Sequence, residues 1–124
     1  MGLRLISKVV YLGGCQGRWR DKVKEELPDV YCVDPFKDCN QTAIYTFVSK
    51  DLAAIEGSDA CLFLINYEVY SGACVEIGYA AALGKPIILV YLLRGRVDPM
   101  MIGVSRGVYT DLEPAIEKLR RILG

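Results

Sequence analysis

The sequence predicts a three-layer α/β domain: a doubly wound, five-stranded parallel sheet with helices on both faces. Three observations lead there. Short apolar runs alternate with amphipathic stretches along the whole chain, the order expected of βαβ units. Glycine and proline punctuate the run ends, where turns and helix stops belong. At 124 residues, 52% of them hydrophobic, the chain has the size and apolar content of one domain (1–124) with a single core.

The first strand is expected over residues 9–12, stopping at Gly13-Gly14, and an amphipathic helix over 18–27 ends at Pro28. Residues 30–33 form the second strand, followed by a turn at Asp34-Pro35. A helix over 44–56 closes at Gly57, and residues 60–66 make the third and most apolar strand. The next helix, 73–83, is apolar almost all round and is expected to be largely buried, with Gly84 as the residue just past its end and Pro86 beyond. Residues 86–92 are the fourth strand and 94–105 a loop. Residues 107–110 are the fifth strand, and 112–123 form a terminal amphipathic helix capped by Asp111 or Thr110. This order suggests the flavodoxin- or Rossmann-like sheet, in which ligands bind beyond the carboxyl ends of the strands. The loops to watch are then 13–19, 34–43, 66–72 (from Asn66 to Gly72) and 93–105.

Composition narrows the chemistry. Fifteen basic and fifteen acidic residues balance to zero formal charge, which gives no electrostatic reason to expect a nucleic-acid polymer or an anionic membrane as partner. No apolar run approaches the ~20 residues of a membrane-spanning helix. No signal-type segment is recognised at the N-terminus, so a cytoplasmic location is expected. The chain has no histidine, which removes Ser–His–Asp and Cys–His mechanisms and His-ligated metals. Five cysteines without a CxxC pair argue against structural zinc. Cys32 and Cys61 read as buried strand residues, and a disulfide stays open. No metal or organic cofactor is expected.

Two acidic residues sit where folding alone would not put them. Asp51 shares the apolar face marked by Phe47 and Ile55, so it is either functional or a boundary residue reaching solvent. Glu76 is the sole charge of its apolar helix and falls in the expected first turn, beside Ser71-Gly72, where the helix dipole favours a carboxylate. It either serves a ligand or completes the helix cap. The Gly13-Gly14-Cys15-Gln16-Gly17 turn, with Arg18 and Arg20 behind it, can cradle an anion or can be a plain turn with solvated arginines. Tyr11 at the strand end is a site residue or core, and Trp19 is a lid or a packing residue.

Taken together, the segments VYLGGCQGRWRD (10–21), SKDLAAIEGSDACLFLI (49–65) and SGACVEIGYAAALGKPIILV (71–90) resemble the nucleoside 2-deoxyribosyltransferase family and its nucleotide N-glycosidase relatives. The last is the most specific: a small-residue turn, then Glu-x-Gly-x-Ala-x-x-x-Gly-Lys-Pro. The resemblance implies that Glu76 is the nucleophile, that Asp51 contacts or protonates the departing base, and that Tyr11 orients the nucleophile. Transferases of the family often carry an Asp six residues before the nucleophile; Tyr70 stands there in this chain. The hydrolysing relatives hold a 5′-phosphate with basic and hydroxyl groups, a part that Arg18, Arg20 and Ser71 could take. The implied substrate is a nucleoside or nucleoside 5′-monophosphate. The implied assembly is a homo-oligomer, with residues 93–101 as a contact, a lid or a surface loop. The alternative is a non-catalytic nucleotide-binding or sensing module on the same fold.

Overall fold

The computed structural model describes residues 7–38, 44–66, 71–93 and 98–124. In chain order the elements are β1 (Lys8–Gly14), α1 (Trp19–Glu26), β2 (Val30–Val33), α2 (Pro35–Asp38), α3 (Ile44–Glu56), β3 (Ala60–Ile65), α4 (Ser71–Ala82), β4 (Ile87–Tyr91), α5 (Pro99–Gly103), β5 (Gly107–Tyr109) and α6 (Leu112–Leu123). The five strands pair in parallel in the order β2-β1-β3-β4-β5. The order reverses between β1 and β3, so the switch point of a doubly wound sheet lies at their carboxyl ends.

Strand alternation sorts the core into two layers. Val10, Leu12, Leu62, Leu64, Ile88 and Val90 face Val23 of α1 and Ile116 and Leu119 of α6. Tyr11, Cys61, Phe63, Ile65, Ile87 and Leu89 face Ile55 of α3, Ala73 and Ile77 of α4, and Met101 of α5. Every residue of β3 and β4 is buried, as expected of central parallel strands covered on both sides. Among the described residues no helix is long and apolar enough to cross a membrane.

Three local expectations are corrected. Asp34-Pro35 is more than a turn: Asp34 Oδ1 accepts from the Phe36 N–H at 3.2 Å, and the proline opens the short helix α2. The same pairing recurs at Asp98-Pro99, where the aspartate side chain caps the Met101 N–H at 3.1 Å and α5 begins inside the expected loop. Third, α4 starts at Ser71 and is covered on one side only. Ala73, Ile77 and Ala80 are buried, whereas Cys74, Val75 and Gly78 are exposed. Its end follows the pattern read from sequence: Gly84, at φ +73°, and Lys85 return N–H groups to the carbonyls of Ala81 and Ala80, a Schellman closure. Asp111 occupies the N-cap position of α6 without a side-chain cap bond. Cys15, Cys32, Cys61 and Cys74 are free thiols.

Candidate active site

A cavity of about 620 Å³ opens at the switch point, beyond the ends of β1 and β3. Its floor is the turn that ends β1, and two glycines make the floor possible. A Cβ on Gly13 would stand 2.2 Å from the Phe63 ring and 3.3 Å from Glu76 Oε1. Gly14 has φ +97°, and a Cβ there would meet the Leu64 carbonyl oxygen at 2.2 Å. The turn is pinned to β3 by the Cys15 N–H, which donates to that same carbonyl at 3.0 Å.

Tyr11, fully buried on β1, donates its phenolic proton to Glu76 Oε2 at 2.7 Å, across 65 residues of sequence. Glu76 is the sixth residue of α4, so it lies past the first turn, where the helix dipole acts most strongly. A tertiary contact, the Tyr11 hydroxyl, holds the carboxylate in place of the helix dipole. Burial pushes the Glu76 pKa up from 4.5 to about 7; the Tyr11 hydrogen bond and the Arg20 charge pull it down, and the Asp51 charge adds to the rise. Burial, and after it the Glu76 carboxylate, drives the Tyr11 phenol far above its usual range, so this hydroxyl stays a donor. Asp51, 6% exposed on α3, lines the same cavity. The two acids singled out from sequence thus share one cavity with each other and with the end of β1.

Of the remaining candidates, Gly13, Gly14, Arg20, Asn66 and Gly72 line the cavity. Arg18, Trp19 and Ser71 do not, and Tyr70 lies outside the described residues. Trp19 packs against the core, and its indole N–H donates to the Cys15 carbonyl at 2.8 Å. Arg20 is 3% exposed, and its guanidinium is turned to the protein. It donates to the carbonyls of Leu12, Gly14 and Cys15 and pairs with Asp34 at 3.2 Å.

Cys15 and Gln16, from the turn expected to meet a ligand, and Pro35 and Phe36, from the 34–43 loop, also line the cavity, whereas Phe47 and Ala73 were not singled out as site residues from sequence. One signal for Phe47 was available: it precedes Asp51 by one helical turn and so faces the same way. Among the described residues no group of three or more potential metal ligands forms.

The family model for nucleoside 2-deoxyribosyltransferases matches residues 10–111. The chain belongs to the nucleoside 2-deoxyribosyltransferase family. A nucleoside deoxyribosyltransferase from Limosilactobacillus fermentum is 36% identical over 69 residues, a stretch that spans 53% of this chain and 41% of that protein's length. The fold is similar to solved structures of the 2-deoxyribosyltransferase from Bacillus psychrosaccharolyticus (TM-score 0.70, 18% identity, 87% of this chain and 90% of that one). It is similar also to the Leishmania mexicana enzyme (0.72, 19%, 90% and 96%). A CMP N-glycosidase from Clostridium botulinum is a third such neighbour (0.64, 22%, 91% and 99%). At these identities the structural likeness speaks for the fold, and the family match carries the membership.

Proposed function

We propose that this family member cleaves or transfers the N-glycosidic bond of a nucleoside or nucleoside 5′-monophosphate, with Glu76 as nucleophile. The observation that carries the reading is the 2.7 Å bond from Tyr11 to Glu76, made in a cavity that Asp51 also lines. In this reaction the ionised Glu76 attacks the anomeric carbon, the C–N bond breaks, and its electron pair leaves with the base. Asp51, which lines the same cavity, relays a proton from water to the departing base. The glycosyl ester is then opened by water, giving hydrolysis, or by a second base, giving transfer. Two carboxyl groups dividing nucleophile and acid roles are the usual device for retaining glycoside chemistry. Tyr11 donates to one carboxylate oxygen and leaves the other for attack.

Electrostatics bear on the choice of substrate. The described lining holds two carboxyl groups and one guanidinium, and that guanidinium is already paired with Asp34. This supports the uncharged nucleoside over its 5′-monophosphate. A homo-oligomer is proposed with it, supported by the apolar side chains Val75 (61% exposed) and Met100 (77%) on the outer sides of α4 and α5.

The test is base release from the common deoxynucleosides and ribonucleosides and their 5′-monophosphates, with and without a second base, for the parent and Glu76→Ala. Release or exchange that disappears in the variant supports the reading. Turnover that persists in Glu76→Ala overturns Glu76 as nucleophile, and binding without turnover on any substrate favours a sensing module.

A further inference from the structure

We infer that Arg20 is the positioning residue of this cavity: one buried guanidinium holds the turn after β1 and the Asp34-Pro35-Phe36 corner after β2 together, and so shapes the wall that Glu76 shares. A guanidinium has five N–H donors in one plane. Here Nε donates to the Cys15 carbonyl at 3.3 Å. One terminal nitrogen donates to the Leu12 carbonyl at 2.6 Å and to Asp34 Oδ1 at 3.2 Å. The other reaches the carbonyls of Gly14 at 3.0 Å and Cys15 at 3.1 Å. All five donors are therefore committed to the protein.

The same group lies 4.7 Å from the ring centroids of both Trp19 and Phe36. Asp34, 1% exposed, is anchored in turn: its N–H donates to Asp38 Oδ2 at 2.9 Å and its second carboxylate oxygen faces Lys24 Nζ at 3.6 Å. Gly14, Cys15 and Phe36, which these contacts hold directly, line the cavity, as do Gly13 and Pro35, which lie between held residues in the chain. A glycine-rich turn has wide conformational freedom, and carbonyls buried without donors are costly. One side chain removes both problems at once. Lysine cannot replace it, because an ammonium lacks the planar fork that meets several acceptors in fixed directions.

The kinetic half of the test rests on the glycosidic reading, and the spectroscopic half does not. In Arg20→Lys the charge remains but the fork is lost. KM is expected to rise roughly tenfold to a hundredfold, the effect of misplacing a wall by about 1 Å, with kcat within about threefold of the parent. Asp34→Asn, which keeps the shape and removes the charge, is expected to move KM in the same direction and serves if the Arg20 variant does not fold. Trp19 is the chain's single tryptophan, so its emission reports the clamp without any substrate. It is expected to shift to the red and to become more open to acrylamide in both variants.

A carbon-13 titration of the Glu76 carboxyl separates positioning from charge. Tyr11 of β1, Asp51 of α3, Arg20 of α1 and Cys61 of β3 all face that carboxyl. Its midpoint is expected to stay in Arg20→Lys and to rise in Arg20→Met. Parent-like KM or parent-like Trp19 emission in Arg20→Lys overturns the inference, as does a collapse of kcat at unchanged KM. If the parent itself releases no base, the proposed reaction fails while the fluorescence and titration still decide the role of Arg20.

Discussion

Replacing Glu76 by Gln tests the burial of this carboxyl without any substrate. The amide keeps the volume and an oxygen to accept from Tyr11, and it cannot ionise. In the parent, the folded protein holds the Glu76 proton up to about pH 7, whereas the unfolded chain releases it near 4.5. Between those values the folded state binds more protons, so the parent loses stability as pH rises through that window. Below 4.5 the acid is neutral in both states and the term is fully favourable. The span from 4.5 to about 7, at about 1.36 kcal/mol per pH unit, comes to about 3 kcal/mol. The assay is urea unfolding of parent and Glu76→Gln from pH 4 to pH 8. Groups away from the cavity titrate alike in both proteins, so the difference curve reports Glu76 together with Asp51, whose charge it feels. The variant is expected to gain up to about 3 kcal/mol on the parent between pH 4.5 and pH 7 and to hold that gain above it. Curves that stay parallel across the range would refute the half-buried, Tyr11-held carboxyl. A variant losing ground as pH rises would reverse the sign of the argument.

The same titration sets the activity profile: turnover is expected to rise with pH around a midpoint near 7, as Glu76 ionises, and a rate flat from pH 5 to pH 8 would count against it as nucleophile. Tyr11→Phe removes a hydrogen bond to the charged form. It is expected to move that limb to higher pH and to lower kcat/KM at neutral pH by about 10- to 100-fold, the worth of a bond to a charged group; pH–rate profiles measure both. Gly13→Ala places a methyl 2.2 Å from the buried Phe63 ring, and overpacking of this kind costs about 1–3 kcal/mol, read in thermal or urea unfolding. Gly14→Ala should cost more, because its clash is with the Leu64 backbone and its φ is positive, and a smaller loss than at Gly13 would contradict the close approach of the two strands.

Much of the frame was readable from local pattern. The strands fall within two residues of their expected ends, and Gly84 closes α4 as its place after an apolar helix implied. What escaped were short helices, α2 and α5, both opened by Asp-Pro. A four- or five-residue helix has too few turns to show periodicity, so only its cap betrays it. The burial of α4 was overestimated for a related reason: an apolar composition says which side chains tolerate a core, not which ones find a neighbour.

By itself the sequence determined that the fold is a parallel α/β sheet, that an enzyme without histidine is left with carboxylates, Tyr, Lys, Arg and backbone groups, and that Glu76 and Asp51 are the acids out of place. These follow from periodicity and composition, which act along the chain. The Tyr11–Glu76 pairing was expected only through the family resemblance, and the tertiary structure supplies the bond between residues 65 apart; it alone decided that Arg20 turns inward to gather three carbonyls and Asp34 instead of reaching a ligand. The reason is that an arginine beside a glycine turn has two destinations, solvent or interior. The choice depends on acceptors from β1 and β2 that converge only when the sheet has formed.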